Sequence, residues 1–183
     1  MKKLFLSLLA ATTVLNPGIA KADIHDDHNE LWNTLQDLGV VTLVNHLNHC
    51  NDRKKMDGIY YPYSGMLVIC QDKMIPGSNK QYKWTENDYN TLRHEAHHVI
   101  QDCASGYIAD GKTTTMFNEE ELAKFLSLSP SYDEERLAQL RSRLKAKGLH
   151  EDTILEELEA YVVSEDITAP SITRKLRQFC LGS

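Results

Sequence analysis

The sequence predicts an α+β domain, with a small sheet in its first half and helices in its second half. Apolar and β-branched runs of four to six residues lie before position 72, whereas helix-start signals followed by three-and-four spacing recur after position 84. Strands that precede helices, rather than alternating with them, are typical of this class. The length of 183 residues corresponds to about one domain, and 42% apolar with 25% charged side chains is an ordinary globular composition.

A leader segment precedes the domain. Residues 1–22 carry, in order, a lysine pair, an apolar run of about twelve residues, an Asn-Pro-Gly break and the small-residue pattern Ala-Lys-Ala. This is the organisation of a secretory signal peptide, and the run is too short for a membrane span. We therefore expect cleavage, a single domain at 23–183, no stable membrane insertion, and a secreted or periplasmic location.

Charge and cysteine content narrow the function classes. Lys and Arg number 20 against 26 Asp and Glu, a formal charge of -6, so no basic surface that could bind nucleic acid is expected.

The four cysteines, Cys50, Cys70, Cys103 and Cys180, allow two disulfides in three connectivities. We favour Cys50 with Cys70, which closes a local loop, and Cys103 with Cys180, which ties the end of the chain to a helix. The absence of a C-x-x-C pair argues against a cysteine metal site.

Short segments of the first half predict one helix and three strands. Apolar residues between 31 and 38 mark one helical face, which Gly39 ends. Residues 40–44 read as a buried strand, and 58–61 and 66–71 as two strands around a Pro-Tyr-Ser-Gly turn. The first half therefore predicts a small antiparallel or mixed sheet.

A longer helix follows the sheet. Thr85 and Asp88 have the spacing of a capping box, and Trp84 is placed to staple Tyr89 across the first turn. Gly106 provides the stop signal. The apolar stripe of this helix consists of Leu92, Ala96, Val99 and Cys103.

Four further helices are predicted after it. Asn118 and Ser131 each precede an acidic residue by three positions, as helix caps do, and Gly148 ends the second of these helices. An apolar pattern predicts a helix at about 151–164, and Pro170 opens the last one.

The helix after Trp84 contains the pattern His-Glu-x-x-His. Because four residues make about one turn, His94 and His98 lie on the same side and can bind one ion. A bound metal ion lowers the pKa of a water molecule toward 7. Glu95 directly follows the first ligand, so it can act as the general base that takes the proton from this water. Nitrogen and oxygen ligands in a tetrahedral site suit Zn²⁺, which is the predicted cofactor.

A catalytic zinc site usually has a third protein ligand. The extended metzincin pattern would require Gly at position 101 and His at position 104, where the chain has Gln101 and Ala104. The remaining source is the acid-rich helix near position 158, whose acids include Glu156, Glu157 and Glu159. Glu157 flanks the apolar face of that helix, and the other two lean progressively away from it.

Residues 94–106, HEAHHVIQDCASG, resemble the active-site helix of thermolysin-like zinc peptidases. In that glutamate-ligand superfamily of zincins, the third ligand commonly begins a Glu-x-x-Ala pattern, which corresponds here to Glu157 and Ala160. The resemblance implies a zincin-like fold with Glu157 as third ligand and Glu159 as runner-up. The whole chain is also similar to small secreted bacterial HExxH proteins.

The chain departs from the thermolysin-like pattern at one position. The family has an Asp four residues after the ligand Glu, where this sequence has Tyr161. Asp102, one turn after His98, is therefore our candidate for orienting a histidine ligand. His150 and Tyr161 are the candidates for stabilising an oxyanion, and Tyr161 is also expected beside the ligands.

These observations predict a secreted zinc metallopeptidase that hydrolyses peptide bonds in a peptide or protein substrate. Glu95 is the expected base, and His94, His98 and Glu157 are the expected ligands. Two alternatives remain: a non-catalytic zincin-fold binding protein, and a cell-wall amidase that applies the same chemistry to peptide stems.

Overall fold

The computed structural model describes residues 25–51 and 56–182, and these residues form a three-stranded sheet and seven helices. The predicted α+β class is confirmed, with helices making up most of the fold. The predicted leader at 1–22 lies outside the described residues. The elements in chain order are α1 (Asp26–Asp37), β1 (Val41–Val44), α2 (Leu47–Cys50), β2 (Gly58–Tyr61), β3 (Met66–Ile69), α3 (Glu86–Ser105), α4 (Glu119–Ser127), α5 (Glu134–Ala146), α6 (Glu151–Asp166) and α7 (Ala169–Leu181).

The sheet is mixed, and its strand order is β1-β3-β2. β3 is central: it pairs in parallel with β1, with Val41 opposite Met66, and antiparallel with β2, with Tyr61 opposite Met66. A short turn is enough to join the antiparallel strands β2 and β3. Gly65 in this turn has a φ of 58°, a backbone conformation that favours glycine. β2 is therefore an edge strand.

Two strand boundaries differ from the sequence prediction by one or two residues. Val40 lies outside β1 because its N–H donates to the carbonyl of Leu35, at the end of α1 (3.0 Å). β3 ends at Ile69, and the N–H of Gln71 donates to the side-chain oxygen of Asn45 (2.8 Å). Side-chain and helix-end hydrogen bonds thus replace ladder bonds at these positions.

The predicted start of α5 at Ser131 is wrong. Asp133 is the N-cap residue, and its carboxylate accepts a hydrogen bond from the N–H of Arg136 (2.8 Å). Asp and Ser are comparable caps, and the Asp lies next to the first helical residue. The helix therefore begins two residues later than the Ser131 signal predicts.

The centre of the molecule is α3, which packs against the sheet, α6 and α7. Side chains alternate across β3, as in any strand: Leu67 and Ile69 face the main core with α3, whereas Val68 faces a smaller cluster with Cys50 and Cys70. A further apolar cluster joins α5 to α6. Helix α3 is therefore held by apolar contacts with the sheet, α6 and α7.

Two disulfides brace this arrangement. Cys50 bonds to Cys70, across 20 positions, and Cys103 near the end of α3 bonds to Cys180 in α7, across 77 positions. This is the pairing that the sequence favours, and such bonds are typical of oxidising compartments. Throughout 25–51 and 56–182, no helix is both long enough and apolar enough to cross a membrane.

We expect each disulfide to stabilise the fold according to the length of the loop that it closes. Replacing Cys103 and Cys180 by alanine should lower the free energy of unfolding by about 4 kcal/mol, against about 3 kcal/mol for the Cys50–Cys70 pair. Urea denaturation of the two double variants measures both values. A larger loss for the shorter loop would contradict this expectation.

Candidate metal centre

The start of α3 is fixed by its own sequence. The Thr85 side chain accepts from the N–H of Asp88 (3.2 Å), and the Asp88 carboxylate accepts from the N–H of Thr85 (2.8 Å), a complete capping box. Trp84 stacks on Tyr89, with ring centroids 5.6 Å apart, as the predicted staple requires. This rigid start lies about two turns before the histidine pair.

The structure brings together His94, His98 and Glu157. The two Nε2 atoms lie 3.2 Å apart, and the ring centroids are separated by 4.8 Å. From α6, the Glu157 carboxylate oxygens lie 3.4 Å from Nε2 of His94 and 3.6 Å from Nε2 of His98. The side chains are partly exposed, by 12%, 13% and 25%. Among the residues that the structure describes, only this group of three potential ligands has donor atoms all within 4.8 Å of one another.

The three side chains offer donor atoms close enough together to hold one ion. Two donors bound to zinc at 2.0–2.2 Å lie about 3.3–3.6 Å from each other across a tetrahedral edge. The distance of 3.2 Å between the two Nε2 atoms is close to this range. The two oxygens of Glu157 make one contact each, Oε2 at 3.4 Å from His94 and Oε1 at 3.6 Å from His98. Two imidazole nitrogens and one carboxylate oxygen are also a donor set that suits zinc.

Glu157 is held in its charged form. Burial opposes ionisation, but the hydrogen bond from His94 and the electrostatic interactions with His98 and Lys147 outweigh it and lower the pKa of Glu157 to about 2. An ionised carboxylate is the form that binds a cation.

Glu95 lies beside the cluster and beneath the edge strand. It is only 5% exposed, and burial, with the nearby charge of Glu157, raises its pKa to about 8 although the backbone N–H of Tyr60 donates to it. Gly58 allows this close approach: a Cβ there would lie 3.0 Å from a Glu95 oxygen and 2.5 Å from Cγ2 of Thr91. The strand can lie on α3 because this position has no side chain.

A cleft of about 680 Å³ opens over these residues. One wall is β2 with the residues next to it, and the opposite wall is α6, including Tyr161. The Tyr161 ring meets His94 edge-on, with centroids 4.5 Å apart, and burial raises the pKa of its hydroxyl. Tyr161 thus lies where the sequence predicts it. His150 is exposed at the start of α6 and is not part of the cleft wall.

The structure places Glu159, the runner-up ligand, away from the cluster. Its fully buried carboxylate accepts from Nε2 of His97 (2.7 Å) and from the N–H of Met116 (2.9 Å). Burial lowers the pKa of His97, so the ring is neutral and donates its Nε2 proton to Glu159. Among the acids considered, Glu157 is the one that reaches the histidine pair.

The expectation for Asp102 needs a correction. Its carboxylate accepts from the Tyr60 hydroxyl (2.5 Å) and from the N–H of Ala109 (3.0 Å). These bonds attach β2, and the loop that comes after α3, to this helix. The histidine contact is made instead by Gln101, whose Oε1 lies 2.7 Å from Nδ1 of His98. Gln101 is not among the residues that we predicted from the sequence, although residues three apart on a helix are neighbours and the spacing could have indicated it.

Comparison with known proteins places the chain in a family. The family described as Domain of unknown function (DUF8637) matches residues 19–181, and the chain belongs to it. No curated protein and no solved structure matches the chain. A proposal about function therefore depends on the geometry of the site.

We expect the His97–Glu159 pair to be strongly coupled energetically. His97→Leu removes one partner of a buried carboxylate and should lower the free energy of unfolding by about 3 kcal/mol. Replacing both residues, as His97→Leu with Glu159→Met, removes the stranded charge and should cost less than the sum of the two single changes. Urea denaturation of the three variants tests this, and strictly additive losses would contradict it.

Proposed function

We propose that the protein is an exported, zinc-dependent metallopeptidase. The observation that carries the proposal is the convergence of His94, His98 and Glu157 in an open cleft, where the closest donor atoms of each pair of side chains lie 3.2 to 3.6 Å apart. Glu95 lies next to the first histidine, in the position expected of a general base. The two disulfides and the signal-peptide pattern of residues 1–22 support export.

The architecture supports a zincin-like fold of the glutamate-ligand type. A sheet with an antiparallel edge strand lies over the helix that carries His94 and His98, and a later helix provides Glu157. The Glu157-to-Ala160 spacing agrees with this resemblance, and Ala160 is fully buried. A small side chain there lets α6 approach its neighbours closely.

His94, His98 and Glu157 would hold the zinc ion. When bound, the ion would lower the pKa of a water and polarise a carbonyl group. With two neutral imidazoles and the single negative charge of Glu157, a bound Zn²⁺ would give the site a net positive charge.

Glu95 is the residue placed to move a proton. Its carboxyl group is buried beneath β2, is held by the Tyr60 N–H, and has a pKa raised to about 8. A carboxyl group with a pKa near the working pH can take a proton from water and release it to the leaving amine. Tyr161, whose hydroxyl stays protonated because burial raises its pKa, is our candidate for donating to the developing oxyanion.

The edge strand offers a way to orient a peptide. Within the part of the chain that the structure describes, β2 pairs only with β3, and it forms a wall of the cleft, so an extended substrate could align along its other edge. Such alignment would bring a peptide carbonyl toward Glu95 and the histidine pair. Peptides and unfolded proteins are therefore the substrate class that we propose.

The central test separates metal binding from catalysis. Glu95→Gln should retain about one zinc per chain and lose activity by at least about 100-fold, because the base is removed and the ligands are kept. His98→Ala should lose zinc binding and activity. His150 is an exposed histidine outside the cleft, so His150→Ala should keep zinc binding and activity. Elemental analysis and cleavage of labelled casein, with and without a chelator, measure the two properties.

Other outcomes point to other functions. Full activity of Glu95→Gln would contradict the mechanism. Zinc binding without turnover in the wild type would favour the binding-protein alternative, and release of peptide stems from purified cell wall without cleavage of casein would favour the amidase.

A further inference from the structure

Gln101 is a fully buried polar residue in α3 that links the two helices of the metal centre. Its Oε1 lies 2.7 Å from Nδ1 of His98, and its Nε2 donates to the backbone carbonyl of Glu156 (3.1 Å). Its own backbone carbonyl accepts from the N–H of Thr114 (3.4 Å). One amide side chain therefore contacts a histidine of α3 and the α6 backbone next to Glu157.

The chemistry of these partners fixes which atom carries each proton. The carbonyl of Glu156 can only accept, so the end of the Gln101 amide that meets it must be the NH₂ group. The other end is then the carbonyl oxygen, which can only accept, and Nδ1 of His98 must carry the proton. When the ring is neutral, Nε2 of His98 then has the lone pair, and it faces His94 and Glu157.

The other ligand histidine, His94, has no comparable hydrogen bond among the described residues. Nδ1 of His94 is buried and has no hydrogen-bond partner among the described residues. The His94 ring is instead contacted by the edge of Tyr161. Of the two ligand histidines, His98 is therefore the one whose tautomer is set by a polar side chain, that of Gln101.

The same amide also sets a distance between helices. The Glu156 carbonyl belongs to the peptide group that leads into Glu157, so the Gln101 bond holds that part of α6 against α3. Losing the bond would release both the His98 ring and the backbone that carries the carboxylate. Residues that orient metal ligands typically change metal affinity by 10- to 100-fold when replaced.

We propose that Gln101 is a positioning residue that fixes His98 in its Nδ1–H tautomer and couples it to Glu157. The consequence for zinc affinity rests on the proposed function. The tautomer of His98 does not, because it follows from the hydrogen bonds of the protein alone.

The tautomer is measured first, on the metal-free protein. Chemical shifts of ¹⁵N-labelled histidine, with His98 assigned through a His98→Gln variant, should report an Nδ1–H ring in the wild type. Gln101→Met has nearly the same volume and no amide, and should give a mixture of tautomers. Ile172→Val, a change in the core on α7, is the control for altered stability and should keep the Nδ1–H ring.

Zinc affinity is measured second, by competition with a chelator at a temperature where each variant is folded. Gln101→Met should bind zinc 10- to 100-fold more weakly than the wild type, and Ile172→Val should bind it equally well. Should Gln101→Met fail to fold, Gln101→Asn, which is one methylene too short to span both partners, replaces it in both measurements.

An Nε2–H ring in the wild type, or unchanged tautomer and affinity in folded Gln101→Met, would overturn the proposal. A changed tautomer with unchanged zinc affinity would overturn the coupling to Glu157. Absence of zinc binding by the wild type would instead overturn the proposed function, and the tautomer measurement would then decide the role of Gln101 by itself.

Discussion

The contact between α3 and α6 is the constraint on which the site depends. His94 and His98 come from one helix and Glu157 from another, so the ligand distances are set by how closely the two helices pack. Two buried side chains of α3 bond to α6 at neighbouring positions: Gln101 to the backbone beside the ligand, and His97 to the carboxylate two residues beyond it. Apolar packing brings the helices together, and these directional bonds set their register.

The rest of the fold holds α3 in place. Its first turn is capped by its own side chains, its last turn is tied through Cys103 to the C-terminal helix, and the sheet lies against it. Gly58 and the Tyr60–Asp102 bond bring the edge strand close enough to bury Glu95. The burial of this carboxyl group, and hence its raised pKa, follows from the position of that strand.

Much of this could be predicted from local sequence signals. The spacing of His94 and His98, the cap of α3 and the strand segments depend on residues close in the chain, and the structure agrees with them to within one or two positions. The roles of Asp102 and Gln101 could not be assigned in this way. Both lie one turn or less from His98, and the choice between them depends on where β2 and α6 pack, which is a long-range property. The Ser131 signal failed because an equally good cap lies two residues further on.

The proposed function requires that one divalent ion binds where α3 and α6 meet. A crystal of the zinc-loaded protein, with an anomalous difference map at the zinc edge, would locate that ion. We expect one peak about 2.0–2.2 Å from Nε2 of His94, Nε2 of His98 and a carboxylate oxygen of Glu157, with a fourth position open to the cleft. A zinc peak held by other side chains, or Glu157 turned away from an ion on the two histidines, would contradict it.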